Sequence, residues 1–181
     1  MSHDTNRSVQ GETVLDLGCG AGFDVFQAAR KIGPTGLSIG VDISQDMLDR
    51  ATRNASTSHI TNVKFVLAPI TSIPLPSSST DCIISNCVIN LLTNSEKPIC
   101  LAEVYRLLKP GGRLAVSDIL AKKEFPEALQ KDLGLYVGCI SGASLVGEYE
   151  GWLRDAGFQG VCVCVCVLLP TYLQQILPRH H

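Results

Sequence analysis

Glycines and acidic residues that can bind a ligand occur close together near the start of the chain. The stretch from Val14 to Asp24 reads VLDLGCGAGFD: an apolar run, a glycine-rich turn and the start of a helical pattern. Glycines at alternate positions let a backbone approach a ligand closely and direct amide N–H groups at it. A second apolar run ends in Val41-Asp42, and a carboxylate there can accept hydrogen bonds from both ribose hydroxyls of an adenosine. These features predict a ligand that contains a nucleoside.

The charge of the glycine turn indicates which nucleoside ligand to expect. Gly18, Gly20 and Gly22 follow the spacing G-x-G-x-G, and Asp16 stands just before the turn. That carboxylate would repel a pyrophosphate, whereas S-adenosylmethionine (SAM) carries an ammonium and a sulfonium. We therefore expect Asp16, the three glycines and Asp42 to bind SAM. The alternative is that the glycines only form a tight turn and Asp42 only caps the next helix.

The cysteines are a second group of candidate residues. The chain has eight, mostly inside apolar periodic segments, so we expect reduced thiols and no disulfide framework. Cys87 follows the fourth predicted strand, in the stretch Ser-Asn-Cys-Val-Ile-Asn-Leu, and ligands of open α/β sheets gather at the carboxyl ends of strands. Cys87 is therefore a candidate for a reactive thiol beside the ligand. The alternative is a small buried hydrophobe.

Short apolar runs alternate with helical patterns along most of the chain. This alternation predicts an α/β fold, with a mostly parallel twisted sheet and helices on both faces. The predicted strands are Thr13–Leu17, Leu37–Val41, Val63–Leu67, Cys82–Ser85, Arg113–Ser117 and Val161–Val167. Four helices are predicted. The first carries Val25, Ala28, Ala29 and Ile32 and ends at Gly33, and the second begins at Ser44 with Met47, Ala51 and Ala55 on one face. The third runs from Ser95 to about Lys109, and the fourth contains Trp152 and Leu153 before Gly157.

Length and composition limit the class of protein. The 181 residues, 45% of them hydrophobic, suit one domain with one substantial core. A net charge of −2 makes nucleic acid and anionic membranes unlikely partners, so we expect neither. No apolar run approaches the roughly 20 residues that span a bilayer, and the first ten residues are polar. A cytoplasmic location is therefore the expectation.

The glycine turn and the acid after the second strand resemble those of class I SAM-dependent methyltransferases, which have a Rossmann-like fold. The resemblance implies a polar tail at 1–10, a methyltransferase domain at 11–167 and a C-terminal tail at 168–181. It implies that Gly18, Cys19 and Gly20 face the methionine part of SAM. It also implies that SAM is bound by the following residues: Asp42 and Ile43 at the ribose and adenine edge, Met47 beside them, Pro69 and Ile70 at the adenine, and Asn86 in the pocket.

Two cysteine-containing stretches make the resemblance more specific. The segment S-N-C-V-I-N-L around Cys87, together with L-Y-V-G-C-I-S-G-A around Cys139, resembles the arsenite methyltransferases. The resemblance implies that these two cysteines are the catalytic residues. They would be the ligands that hold the substrate, trivalent arsenic, As(III). Soft thiolates prefer such thiophilic centres and leave the arsenic lone pair free to attack a sulfonium methyl. The implied partners are an arsenical substrate and a thiol reductant.

The sequence departs from that family at both ends. No cysteine precedes Cys19, although the family carries further arsenic ligands there, and one of the usual seven strands is expected to be missing after Val161–Val167. The exposed edge of that strand is a candidate interface for a homodimer. Two alternatives stay open: a class I methyltransferase for another small molecule, and a non-catalytic protein that binds SAM or a metalloid.

Overall fold

Five strands form a parallel sheet in a computed structural model of the chain, which describes residues 9–123 and 142–161. Their order in the sheet is β3-β2-β1-β4-β5. The central strands are buried on both faces, which explains why they read as continuous apolar runs without alternation. The strands are β1 (Thr13–Leu17), β2 (Leu37–Asp42), β3 (Val63–Leu67), β4 (Thr80–Asn86) and β5 (Leu108–Ser117).

Helices connect these strands, and most of their ends lie close to the predicted residues. The helix predicted from Ser95 to about Lys109 is the exception, because it ends at Leu107 and Lys109 belongs to the next strand. The Oγ of Ser44 accepts a hydrogen bond of 3.4 Å from the backbone N–H of Met47 and so caps the second helix. Gly33 and Gly157 follow the first and last helices. The helices are α1 (Phe23–Ile32), α2 (Gln45–Thr57), α3 (Glu96–Leu107) and α4 (Val146–Ala156), with a short 3-10 helix at Ile89–Leu91.

The sheet buries apolar side chains on both faces, as predicted. Val14 and Cys82 point towards α1, where they pack with Ala28 and Ile32. The intervening side chains point to the other face and pack with α3 and α4; this larger cluster includes Leu15, Leu17, Ile83, Leu101, Val104, Leu107, Tyr149 and Leu153. Alternation along each strand thus distributes one apolar run between two helical layers.

The start of β5 differs from the sequence prediction. We expected a Pro-Gly-Gly turn followed by a strand from Arg113, but the strand begins at Leu108. Leu108 pairs with Thr80 and Arg113 with Cys82, so the residues between them on β5 form an irregularity in the ladder. Such bulges tolerate proline and glycine at the edge of a sheet. The turn residues therefore belong to the strand.

Two further predictions need comment. Met47 was predicted to share one face of α2 with Ala51 and Ala55; it is 38% exposed, whereas Leu48 is buried with those alanines. Met47 and Leu48 both stand at helical spacing from those alanines, and packing against the sheet selects Leu48 for burial. The predicted strand Val161–Val167 lies outside the described residues except for Val161, so it stays a prediction.

The strand order creates a crevice. From β1 the chain passes to β2 and β3 on one side and then returns to β4 and β5 on the other. The connections that leave β1 and β4 therefore diverge, and ligands of open α/β sheets bind at the carboxyl ends of strands at such a switch point. Gly18 and Cys87 directly follow these two strands.

An ion pair at the opposite end of the sheet joins the segment before β1 to β5. Both guanidinium nitrogens Nη1 and Nη2 of Arg113 donate to the Glu12 carboxylate, each over 2.7 Å. The side chains are only 26% and 15% exposed. The Arg113 hydrogen bond lowers the pKa of Glu12 below its ordinary value of 4.5.

We expect Glu12→Gln to lower the free energy of unfolding at pH 7 by about 1.5–3 kcal/mol, the range for a hydrogen bond between charged groups. Because the pKa of Glu12 is lower in the folded state, its contribution is present above pH 4.5 and is lost as the pH falls through the folded value. Urea unfolding at pH 7 and pH 3.5 measures both effects. The matched control is Glu150→Gln, which removes an exposed pair with Arg154 and should cost less than about 0.5 kcal/mol. Equal stability of Glu12→Gln and wild type at pH 7 would contradict the prediction.

Candidate functional site

The glycine turn begins where β1 ends and is held to β2. The backbone N–H of Cys19 donates to the Val41 carbonyl over 2.9 Å, and the N–H of Gly22 donates to the Cys19 carbonyl over 2.9 Å. Gly18 has φ 64°, and a Cβ atom there would overlap the side chain of Val88. Glycine at this position therefore lets the turn approach the loop after β4.

Asp42, the last residue of β2, uses both carboxylate oxygens. One accepts a hydrogen bond of 2.8 Å from the Gly20 N–H, and the other accepts one of 2.9 Å from the Ser44 N–H. A carboxylate has about four lone-pair sites, so each oxygen retains acceptor capacity. A Cβ atom on Gly20 would meet nothing within 4 Å. The turn therefore presents an open backbone surface beside an acceptor for hydroxyl groups.

Asp16 is a buried acid on the α1 side of β1, with a relative exposure of 3%. Desolvation by burial, followed by the negative charges of Asp24 and Asp42, raises the pKa of Asp16 to about 8. Among the described residues, no side chain forms an ion pair with it and no donor forms a hydrogen bond to it. A cation close to a buried carboxyl group stabilises its ionised form. The arrangement therefore fits a positively charged ligand group.

A cleft of about 300 Å³ lies along the same side of the sheet. Its polar lining consists of Asp16, Asp24, Gln27, Lys31, Ser85, Asn86 and Ser117. The Nδ2 of Asn86 donates to the Asp24 carboxylate over a long 3.4 Å. The cleft thus extends from β1 across the carboxyl ends of β4 and β5, whereas Asp42 lies outside it.

Cys87 directly follows β4 and is exposed. Its backbone has φ 56°, in the left-handed region that residues other than glycine rarely adopt. The N–H of Cys87 donates to the Ser117 carbonyl over 2.8 Å and so joins the ends of β4 and β5. Backbone strain of this kind is concentrated at functional sites. The second predicted thiol, Cys139, lies outside the described residues.

The remaining predicted cofactor residues fall into two groups. Ile43, Met47 and Pro69 are exposed around the carboxyl ends of β2 and β3. Cys19 and Ile70 instead point into the apolar core, with relative exposures of 7% and 8%. Burial raises the pKa of the Cys19 thiol to about 12, so this thiol is protonated at neutral pH. Only the backbone of Cys19 belongs to the turn.

Three charged residues near the crevice were missed at the sequence level. Asp24 lies in the first turn of α1, Asp118 directly follows β5, and Lys97 is fully buried in α3. Two of them carried a readable signal. Asp118 is an acid at the carboxyl end of a strand, and Lys97 shares the spacing of the buried Leu101 and Val104.

Two kinds of feature are not found in the part of the chain that the structure describes. No group of three or more His, Cys, Asp or Glu side chains there is arranged to hold a metal ion. No helix at 9–123 or 142–161 combines the length and apolar character needed to cross a bilayer.

The glycine turn, the acid after β2 and the parallel sheet with its switch point define a class of protein. The chain belongs to the methyltransferase domain family, which it matches over residues 8–157. It is 44% identical over 151 residues to an arsenite methyltransferase from Halobacterium salinarum. That match covers 83% of this chain and 38% of the relative. The chain therefore spans about two fifths of the length of this curated relative.

Other relatives extend the comparison. An arsenic(III) S-adenosylmethionine methyltransferase from Chlamydomonas reinhardtii superimposes with a TM-score of 0.76 at 32% identity, covering 83% of this chain and 53% of that chain. A ubiquinone/menaquinone biosynthesis C-methyltransferase from Citrobacter koseri is 37% identical over 128 residues, covering 70% of this chain and 49% of the relative. These findings confirm the predicted Rossmann-like methyltransferase fold and support SAM as the cofactor.

Proposed function

We propose that the protein transfers a methyl group from SAM to trivalent arsenic, as arsenite or methylarsenite, held by the thiolates of Cys87 and Cys139. The observation that carries the proposal is the placement of Cys87. It is an exposed thiol at the carboxyl end of β4, in a loop whose Val88 side chain packs against the glycine turn. The names of two relatives, both arsenic methyltransferases, agree with that chemistry.

The acids of the site suit the two ends of SAM. Asp42 retains acceptor capacity for the ribose hydroxyls, and Gly20 offers an open backbone beside it. Ile43, which is 76% exposed, and Met47 supply apolar surface for the adenine, with Pro69 nearby. Asp16 is the group that suits the ammonium of the methionine part, because burial disfavours its ionised form and a bound ammonium would stabilise that form.

The thiols supply what the reaction requires of the protein. When bound, SAM supplies an electrophilic methyl group, and trivalent arsenic supplies the lone pair that accepts it. Two thiolates fix the arsenic without using that lone pair, so the chain needs no general base. The methyl transfer raises the formal oxidation state of arsenic by two, and a thiol reductant is therefore a partner in the proposal.

A cytoplasmic location and a homodimer through the Val161–Val167 edge stay predictions.

The decisive experiment is mass spectrometry of the products from SAM and either arsenite or methylarsenite, with thiol reductant present. We expect methylated arsenicals that depend on both SAM and the protein. Absence of methylation with both substrates would reject the proposal. If SAM or an arsenical then binds tightly in calorimetry, a binding protein without turnover remains.

A second candidate function is methyl transfer to another small molecule. The similarity to a quinone-biosynthesis C-methyltransferase favours it, because that relative matches much of the same region. A substrate panel with thiols, phenols and quinols beside the arsenicals distinguishes the two functions. A higher kcat/KM for any organic acceptor than for methylarsenite would favour this second function.

A further inference from the structure

A lysine occupies a core position in the structure. Lys97 lies in the first turn of α3 and its side chain is 0% exposed. Burying an ammonium is costly unless its donors are all satisfied. The Nζ donates to the Gly142 carbonyl over 2.6 Å, to the Ser144 Oγ over 2.8 Å and to the Asn94 Oδ1 over 3.2 Å. Its three hydrogens therefore each have an acceptor.

The acceptors of this ammonium lie on a segment that contacts the loop carrying Cys87. The backbone of Gly142 lies so close to the Asn90 carbonyl that a Cβ atom would overlap it. Asn90 in turn donates from Nδ2 to the Ile119 carbonyl over 2.7 Å. Lys97 thus holds the segment at 142–144, whose Gly142 contacts Asn90, three positions after Cys87.

The charge environment connects the same elements. Desolvation raises the pKa of Asp118 to about 6, against the lowering effects of the Asn90 N–H, the Lys97 charge and the Ile89 N–H. Desolvation also lowers the pKa of Lys97, opposed by Asp118 and Glu148. The ammonium and the Asp118 carboxylate therefore interact with each other, and the carboxylate also interacts with the loop that follows Cys87.

We infer that Lys97 is a positioning residue for the arsenical site, because its ammonium fixes the segment at 142–144 against the loop of Cys87. The inference rests on the proposed function. Gly142 is three positions after Cys139 in sequence, a length of at most about 11 Å when extended. The contact between Gly142 and Asn90, which Lys97 maintains, is thus close in sequence to both proposed arsenic ligands. The SAM residues Asp16 and Asp42 lie instead on β1 and β2.

The test is steady-state kinetics with methylarsenite, together with calorimetry of SAM binding. Lys97→Met should raise the KM for methylarsenite about tenfold while kcat falls less and the Kd of SAM stays within about twofold. Lys97→Arg, which retains the charge, should recover part of that loss. The matched control is Lys109→Met, which removes an ion pair with Asp81 at the other end of β4 and should leave the KM unchanged.

A second variant protects the test against misfolding of Lys97→Met. Gly142→Ala disturbs the contact with Asn90 from the other side and leaves the lysine intact, so it should show the same rise in KM. The inference is wrong if wild type methylates methylarsenite and the KM is unchanged in both variants, or if SAM affinity falls as much as arsenical affinity. Failure of wild type to methylate any arsenical would instead overturn the proposed function and this inference with it.

Discussion

Replacement of Cys87 by serine should reduce methylation of methylarsenite by at least about 100-fold, because a hydroxyl is a hard ligand that binds As(III) weakly. Serine has nearly the shape of cysteine, and its backbone N–H can donate the same hydrogen bond to the Ser117 carbonyl. The Kd of SAM should therefore stay within about twofold of wild type, since the glycine turn and Asp42 are untouched. Product analysis by mass spectrometry and calorimetry of SAM measure the two quantities on the same preparation.

A matched control distinguishes ligand loss from general damage to a cysteine-rich core. Cys82 lies on β4, the strand that Cys87 follows, but it is 2% exposed and packs under α1. Cys82→Ala should cost some stability and leave kcat/KM for methylarsenite within about threefold of wild type. Cys139→Ser should reproduce the loss seen with Cys87→Ser. Full activity of Cys87→Ser would refute a thiolate role for Cys87. It would favour the second candidate function, methyl transfer to another small molecule.

Most of the sheet was predictable because its strands are buried on both faces. Such strands read as short apolar runs between turn residues, and β1 and β3 were predicted with the bounds that the structure has. The errors arose at the edge of the sheet. There β5 includes Pro110 and two glycines, which form an irregularity between the pairs Leu108–Thr80 and Arg113–Cys82, and a local pattern does not distinguish such a bulge from a turn.

The candidate site was predictable where one segment supplies the geometry. The glycine turn, Asp16 and Asp42 were found from spacing alone, because a strand, a turn and a helix fix their positions. The direction in which a single side chain points was harder to predict from the sequence. Cys19 and Ile70 point into the core, and a motif specifies that the backbone turns but not which way these side chains point.

The buried polar cluster could not be predicted from local patterns. Lys97 and Asp118 are far apart in sequence, and their relation depends on how α3 packs beside the end of β5. A lysine at an apolar helical position indicates burial but does not identify the groups that satisfy it. Its acceptors Gly142 and Ser144 lie more than forty residues away. Tertiary packing alone brings them together.

Asp16→Asn should have opposite effects on stability and on SAM binding. In the free protein the pKa of Asp16 is about 8, above its ordinary value of 3.8. Its effect on stability is therefore most favourable below pH 3.8 and is lost as the pH rises to about 8, because the unfolded state ionises first. Asparagine has no charge to bury. We expect the variant to be more stable than wild type by about 5 kcal/mol at pH 8, the free energy that corresponds to this pKa shift, and equally stable at pH 3.5.

The same substitution should weaken SAM binding about 10- to 100-fold at pH 7, or 1.4–2.8 kcal/mol, because the ammonium of SAM loses its counterion. A bound ammonium lowers the pKa of Asp16, so wild type should release nearly one proton on binding SAM at pH 6.5. Calorimetry in buffers of different ionisation enthalpy measures that proton, and Asp16→Asn should release none. Asp155→Asn, which changes an exposed acid on α4, is the matched control and should behave as wild type. Equal proton release by wild type and Asp16→Asn would show that the SAM ammonium binds elsewhere.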